Sequence, residues 1–559
     1  MKRIARFVFA VAISGATFGL PGQAASPRDK AVLDSYEIDL RLDAAAGRLA
    51  GRVVLLYTNN SGAALGEIPL RLDLNLGGSE AMTIDSVRDA GGRALAWRYE
   101  PFQFAKLSSD KARAVVSLPG ALESGRSLTL EIDYRLQGKF LSQDMVMLQD
   151  DPFHSFDGWY PKAMTRAGGD WSIDDDRLSS FAVSLDPPAD MAVASTGRVL
   201  EDASGASGRR LRLAADGVRG FTIYASRSWK RYGGAAGDVE LGVFLPEAAA
   251  PWASKMLQAM SDSVVFFQTA YGAFPSGHLD LACFGDLSGA ESGSFASYAV
   301  IGLFLNRQLE DRYRWFIAHE VAHQYFGAAV GLRRREIGWV PIGLGMMMDE
   351  HFLRQRGLRH DFDRKVMEDF YYRAERKGFD TTLSQPVEKP LAAGPPWSFG
   401  WNLALMHGKA YAVMSMLRDL LGEEAFRRVV RDIIAEKSGA LIGPADLIAR
   451  SEKALGRSLD WFVADWLDGR GTLDYAVAGV KRVDRGWQVD VRRLGPAAFP
   501  VTVQIETALG EKMRRRVDAE REMNSLVFET RDDIRSLVID PGLVCPDIDA
   551  SNNVWPSRP

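Results

Sequence analysis

The chain has 559 residues, 47% of them hydrophobic, which is enough for several packed domains. Its formal net charge of −4, with 68 basic and 72 acidic side chains, gives no basic surface of the kind that binds nucleic acid. The two cysteines, Cys283 and Cys545, lie far apart in the chain. A disulfide between them would require an oxidising compartment, and their spacing resembles no disulfide framework, which favours simple burial.

The first 24 residues predict a secretory signal peptide. Lys2, Arg3 and Arg6 precede an apolar run from Phe7 to Leu20, and small residues surround Ala24. We expect cleavage after Ala24 and export, to the periplasm in a bacterial cell. No later segment reaches about eighteen apolar residues, so no membrane span is expected in the mature chain.

Residues 25–235 predict an all-β N-terminal domain. The segments YEIDLRL, RVVLLY, ARAVVSL, SLTLEIDY and FAVSL alternate apolar and polar residues, and stretches rich in glycine and asparagine separate them. In residues 236–470 the periodicity becomes helical after two strand-like segments, VELGVFL and LDLACFG. Strand patterns return in residues 471–559, as in YAVAGVKRV, WQVDVRR and PVTVQIET, and predict a small C-terminal β-sandwich.

The segment WFIAHEVAHQYFG contains the strongest chemical signal in the chain. His319 and His323 are four residues apart, so a helix would place both imidazoles on one face, with Glu320 beside them. Two neutral imidazoles can bind one zinc ion, and a carboxylate next to them can accept a proton from zinc-bound water. The pattern predicts a zinc peptidase site in which Glu320 is the general base.

The alternative is a pair of ordinary surface or core histidines on a helix. Tyr313, Ile317, Val321 and Tyr325 form an apolar stripe at helical spacing, and the histidines would project from the other side. A helix that is apolar on two sides is usually buried. This context favours the metal site over the alternative.

With these motifs in place, the mature chain resembles the membrane alanyl aminopeptidase family, the aminopeptidase N type of gluzincin zinc metallopeptidase. The resemblance spans nearly the whole mature chain. Besides the two-histidine motif it includes MSMLRDLLGEEAF at 414–426 and SGAES at 288–292, which aligns with the family's G-A-M-E-N loop. Tyr298 falls where the family keeps a downstream tyrosine.

The resemblance implies a multidomain α+β protein: an all-β N-terminal domain, a thermolysin-like and mostly helical catalytic domain, and a C-terminal β-sandwich. It implies one zinc ion, held by His319 and His323, and a substrate that is the N-terminus of a peptide or protein. Glu291 matches the loop glutamate that grips the free α-amine in the family. Ala290 and Ser292 replace the methionine and asparagine that flank this glutamate, so the loop departs from the family pattern.

The third zinc ligand departs further. The family places a glutamate in a W-L-N-E-G-F-A-like helix start, and the corresponding residue here is Ile342, between Trp339 and Gly345. Isoleucine has no lone pair to offer, and losing a carboxylate ligand should weaken zinc binding. Asp349 and Glu350 lie seven and eight positions further along the predicted helix, so Asp349 would lie about 10 Å along the axis from Ile342, on the same face.

Two other residues could take the place of the missing ligand. Glu336 precedes the helix in a turn rich in arginine and could fold back towards the metal. His407 stands where the family has its catalytic tyrosine, counting back from Arg418. An imidazole there could complete a three-histidine zinc site, donate to the developing oxyanion, or only fill space.

Two hypotheses of function follow from the sequence. In one, this is an exported zinc peptidase of weakened or altered activity that removes N-terminal residues. In the other, the protein no longer turns over substrate, and it serves as a peptide-binding or assembly module. The loss of a ligand and of an oxyanion donor favours reduced activity. Retention of His319, Glu320 and His323 favours the enzyme.

Overall fold

A computed structural model describes residues 33–556, except 44–47, 77–79, 105–106, 138–152, 156, 168–169, 173–176, 206–207, 289–292, 334–335 and 386–401. The predicted signal peptide and Glu291 therefore lie outside the described residues. No helix within the described part of the chain is long and apolar enough to cross a membrane.

The N-terminal region is built from β-strands, as the alternating segments predicted. Its strands are β1 (Asp34–Asp43), β2 (Arg48–Thr58), β3 (Leu65–Arg71), β4 (Met82–Asp89), β5 (Trp97–Phe104), β6 (Leu107–Leu122), β7 (Ser127–Gln137), β8 (Phe153–Ser155), β9 (Lys162–Ala163), β10 (Thr165–Ala167), β11 (Asp170–Ser172), β12 (Ser179–Asp186), β13 (Ala192–Ser195), β14 (Arg198–Gly205), β15 (Gly208–Val218) and β16 (Ile223–Ser226). Seven of them form one sheet in the order β14-β15-β12-β1-β2-β7-β4, and β5-β6-β3-β9 form another. Their inward side chains form a core of their own.

The middle region of the chain begins with a five-stranded sheet. Its strands are β17 (Trp229–Ala236), β18 (Val239–Pro246), β19 (His278–Phe284), β20 (Ser294–Ser297) and β21 (Val300–Phe304). The order is β17-β18-β19-β21-β20, which leaves β20 as an edge strand antiparallel to β21. The sequence placed residues up to 235 in the N-terminal domain, yet β17 pairs with β18 here. Strand periodicity alone cannot tell which sheet a strand joins.

Helices follow and complete the middle region. They are α1 (Ala253–Tyr271), α2 (Leu309–Tyr325), α3 (Trp339–Gln355), α4 (Phe362–Val366), α5 (Tyr372–Arg376), α6 (Ala410–Leu421), α7 (Glu423–Lys437), α8 (Pro444–Leu455) and α9 (Asp460–Phe462), with β22 (Gly331–Leu332) and β23 (Leu441–Ile442) pairing between them. Three segments are π-helical: Met367–Tyr371, Asn402–Lys409 and Val463–Asp468. Helices α2 and α3 pack against each other and carry most of the candidate site.

The C-terminal region consists of two antiparallel sheets. Its strands are β24 (Tyr475–Val483), β25 (Gly486–Arg493), β26 (Thr502–Thr507), β27 (Lys512–Arg516), β28 (Met523–Phe528), β29 (Ile534–Ile539) and β30 (Val554–Trp555). One sheet has the order β24-β25-β28 and the other β27-β26-β29-β30. Their buried side chains are continuous with the core of the middle region.

These three regions confirm the predicted fold class. The apolar stripe of α2 is buried, as expected for a helix packed on both sides: Tyr313, Ile317, Val321 and Tyr325 all face the core. Cys283 and Cys545 are buried free thiols, so the prediction of simple burial is confirmed.

Candidate active site

Helix α2 brings His319, Glu320 and His323 into one buried position. Each of the three side chains is less than a tenth exposed. The Nε2 atoms of His319 and His323 lie 3.1 Å apart, because residues four apart occupy adjacent turns of one helix face. The two imidazoles therefore point their outer nitrogens at a common position.

The inner nitrogen of each imidazole is fixed by a hydrogen bond. His323 Nδ1 lies 2.9 Å from the Phe326 carbonyl oxygen, which can only accept, so His323 carries its proton on Nδ1. His319 Nδ1 lies 2.7 Å from Asp349 Oδ2. Burial raises the pKa of Asp349 well above its usual range. A protonated Asp349 would donate to His319 Nδ1, and the two Nε2 atoms would then share a hydrogen bond. An ionised Asp349, which a bound cation would favour, accepts the Nδ1–H and leaves both Nε2 atoms with lone pairs directed at each other.

That arrangement suits a metal ion. Two nitrogens bound tetrahedrally to one zinc ion at about 2.0–2.1 Å stand roughly 3.3–3.4 Å apart, close to the separation found here. Burial lowers the pKa of His319 to about 4, and it lowers the pKa of His323 well below its usual range. Both imidazoles are consequently neutral at physiological pH, the state in which histidine binds metals.

Glu320 lies beside the histidines in a dry environment. The residue is 3% exposed, and burial raises the pKa of its carboxyl to about 8, while a hydrogen bond with the Ser294 side chain lowers it in part. Ser294 is the first residue of β20. A carboxyl with a raised pKa can hold a proton and return it near neutral pH, as general acid–base catalysis requires.

Asp349 forms a hydrogen bond with the ring nitrogen of His319 that points away from the candidate metal position. It is fully buried on α3, and its hydrogen bond with Nδ1 of His319 orients the imidazole. Sequence reasoning considered Asp349 only as a replacement ligand and missed this role. The signal was present, since Asp349 lies two helical turns after Ile342 on the face that meets α2.

Asp363 adds a second buried acid to this arrangement. Burial is the main cause that raises the pKa of Asp363 well above its usual range, and the charge of Asp349 is the second. Asp363 therefore keeps its proton and donates a hydrogen bond to Asp349. A metal ion could also be held by three or more histidine, cysteine, aspartate or glutamate side chains whose ligand atoms all lie within 4.8 Å of one another. Within the described chain, His319, Asp349 and Asp363 form the one such group. No motif spacing in the sequence pointed to Asp363.

Helix α3 approaches the histidines closely. A Cβ atom at Gly345 would lie 2.8 Å from Cε1 of His323, so only glycine fits there without movement of the ring. Gly345 and Asp349 thus mark the face of α3 that meets α2. Ile342 lies on the same face, one turn before Gly345, and is half-buried. An apolar side chain therefore occupies the position from which a third ligand was expected.

His407 joins the two histidines of α2. It lies in the π-helical segment Asn402–Lys409, and its ring centroid is 5.9 Å from that of His319, with the ring planes 27° apart. The charge of His407 contributes to the lowered pKa of His323. The structure thus brings together three imidazoles that are separated by as many as 88 positions in sequence, although their nitrogens do not form one group within 4.8 Å.

The other acids considered from sequence lie elsewhere. Glu350 is buried in ion pairs with Arg354 and Arg418. Glu336 is exposed, and its carboxylate lies against Gly443 in the turn before α8. Neither is directed at the histidines.

The loop that contains Glu291 lies outside the described residues, but its two ends are visible. It follows Ser288 and leads at Gly293 into β20, whose first residue contacts Glu320. Tyr298, at the far end of β20, donates to the Pro275 carbonyl at 2.5 Å. The position of the Glu291 carboxylate therefore remains a prediction.

The part of the chain that contains this site is similar to known proteins. Residues 300–466 match the peptidase family M1 domain. A leucyl aminopeptidase from Saccharolobus solfataricus is 23% identical over 232 residues, which cover 40% of this chain. The match covers 28% of that relative's length.

A solved structure shares the fold. The crystal structure of a mutant M1 zinc metallopeptidase from Deinococcus radiodurans superposes with a TM-score of 0.56 at 15% sequence identity. The superposition covers 80% of this chain and 98% of the other. The likeness therefore extends well beyond the segment that the family match covers.

Proposed function

We propose that this chain is an aminopeptidase N-like member of the gluzincin family, an exported zinc metallopeptidase that hydrolyses peptides from the N-terminus with weakened or altered activity; the M1 domain match, the leucyl aminopeptidase relative and the shared fold support the proposal. The single observation that carries the proposal is the 3.1 Å separation of the His319 and His323 Nε2 atoms. With Asp349 ionised, the two buried neutral imidazoles direct their Nε2 lone pairs at a common position, where a cation would stabilise them.

His319 and His323 would hold the zinc ion. When bound, zinc lowers the pKa of water towards about 7 and polarises the scissile carbonyl. Asp349 keeps the His319 ring oriented, and the Phe326 carbonyl does the same for His323. These fixed orientations reduce the rearrangement that metal binding would require.

Glu320 is the group that moves the proton. Its raised pKa lets the carboxylate take a proton from water and pass it to the leaving amine near neutral pH. Ser294 fixes the carboxyl with a hydrogen bond from the edge strand β20. The general base is thereby positioned next to a strand edge at which an extended peptide could bind.

Two substitutions support reduced or altered activity. Ile342 lies on the face of α3 that meets the histidines and offers no ligand atom, so zinc binding should be weaker than with a carboxylate there. His407 takes the place of the oxyanion donor, and removal of one such donor commonly costs about 10²–10³ in rate. His407 could instead serve as the third ligand, since its ring lies beside His319.

Substrate choice and location rest on the sequence. Glu291 would bind the free α-amine of a peptide, which limits cleavage to the N-terminal residue. The signal-like residues 1–24 support export to the periplasm.

The second candidate is an inactive homologue that binds peptides or acts as a scaffold. One observation favours it: Ile342 stands where a third zinc ligand was expected. A turnover assay separates the two. The purified protein with added zinc should release aniline dye from an alanyl-anilide, and a chelator should stop the release. The matched variant Glu320→Gln should keep the metal and lose turnover. A zinc-loaded parent no faster than Glu320→Gln would exclude the enzyme, and peptide binding by both would support the inactive homologue.

A further inference from the structure

The hairpin beside the site ends in an unusual corner. Strands β20 and β21 are joined through Tyr298 and Ala299, with Ser297 opposite Val300. Ala299 is buried and has a φ of 61°, the left-handed conformation that alanine rarely adopts. Such a corner needs support from its surroundings.

Gln324 supplies that support from helix α2. Its side chain is 1% exposed, and it follows His323 directly. Its Oε1 accepts the N–H of Ala299 at 2.8 Å, and its Nε2 donates to the Ser297 carbonyl at 3.0 Å. Both ends of one amide thus bind the hairpin corner.

The same hairpin carries the strand edge next to the general base. β20 is the outer strand of the five-stranded sheet, and it begins at Ser294, which hydrogen bonds to Glu320. One end of β20 is therefore tied to Glu320 and the other to Gln324, which are one helical turn apart on α2. A strand held at both ends keeps a fixed distance from the helix.

We propose that Gln324 is a positioning residue that locks the β20–β21 hairpin to the helix of His319, Glu320 and His323, so that an extended peptide pairing with the edge of β20 meets Glu320 in register. This inference rests on the proposed function. An edge strand offers unpaired backbone groups to a peptide, but the scissile bond aligns with Glu320 only if the strand cannot slide. The buried amide of Gln324 fixes the strand without contacting the peptide itself.

The test compares Gln324→Met, which keeps the length of the side chain and removes both hydrogen bonds, with Gln324→Glu, which keeps an oxygen acceptor for the Ala299 N–H. Ser263→Ala is the matched control, because Ser263 is buried and its hydroxyl bonds only to the Ala259 carbonyl within α1. Hydrogen exchange of residues 293–303, zinc content, and KM and kcat for an alanyl-anilide and for tetra-alanine would be measured.

We expect Gln324→Met to speed exchange in the hairpin at least tenfold and to leave zinc content at the parent level. KM for tetra-alanine should rise at least fivefold, with a smaller change for the short anilide. Gln324→Glu should recover part of the exchange protection, and Ser263→Ala should leave KM unchanged. Hairpin exchange or a tetra-alanine KM that stays at the parent value in Gln324→Met would overturn the inference. A parent protein without turnover or bound zinc would instead overturn the proposed function. In that case the affinity for tetra-alanine would be compared directly, and an affinity unchanged by Gln324→Met would also overturn the role of Gln324 in peptide binding.

Discussion

Asp349 Oδ2 lies 2.7 Å from Nδ1 of His319, and Asp349 is two helical turns beyond Ile342 on the same helix. Helix α3 thus still supports the candidate metal site from behind, while the position expected to bind the ion directly is apolar. A carboxylate behind an imidazole raises the basicity of the ring and fixes its tautomer.

Replacing Asp349 should weaken zinc binding without removing a ligand. We expect Asp349→Asn to lower zinc affinity by about 10–100-fold, the usual effect of losing such a partner. Asp363→Asn should have a smaller effect, because its amide can still donate to Asp349. Competition with a fluorescent chelator measures both affinities. Equal affinities for Asp349→Asn and the parent would show that the carboxylate does not support a metal ligand.

Placing a carboxylate at position 342 should strengthen the site. Since Ile342 lies on the face of α3 that meets His323, we expect Ile342→Glu to raise zinc affinity by at least about tenfold. Ile342→Gln is the matched control, because it has the same length and no charge. The same chelator competition distinguishes them. Identical affinities of the two variants would mean that position 342 does not reach the ion.

His407 can be tested as the third ligand. If it binds zinc, His407→Ala should lower the affinity by at least about tenfold, as expected for the loss of a group that contacts the metal. His351→Ala is a suitable control, because His351 is buried in a hydrogen bond with Tyr271 away from the site. Zinc titration of both variants gives the answer. An affinity for His407→Ala equal to that of the control would remove His407 from the ligand set.

The sequence correctly predicted the fold class and the placement of His319 and His323 on one face of a helix, because both depend on local spacing. Strand alternation and the i, i+4 relation are set by backbone geometry. The sequence could not predict that Asp349 and Asp363 meet behind His319, because that contact depends on how α2, α3 and α4 pack. Nor could it predict the role of Gln324, whose partners Ser297 and Ala299 are recognised only once the hairpin turns back towards α2.

Stability should depend on pH through a buried acid in the C-terminal region. Burial raises the pKa of Asp547 to about 6, although its oxygens accept the backbone N–H groups of Tyr475 and Asp549. The unfolded value is about 3.9, so the folded protein binds the proton more tightly. The free energy of unfolding should therefore fall as pH rises from about 4 to 6, by about 1–3 kcal/mol.

Asp547→Asn does not titrate, so it should lack this part of the slope. Urea unfolding of the metal-free proteins at pH 4, 5, 6 and 7 measures the difference between the two profiles. Parallel profiles for the parent and Asp547→Asn would contradict the raised pKa.

Metal analysis tests the central claim, that the imidazoles of His319 and His323 hold a zinc ion, most directly. The parent and a His319→Ala/His323→Ala double variant would be purified, incubated with one equivalent of zinc, passed through a desalting column and measured by mass spectrometry of the metal. We predict about one zinc per chain in the parent and a content near background in the double variant. Equal zinc in the two proteins, or none in the parent, would contradict the assignment.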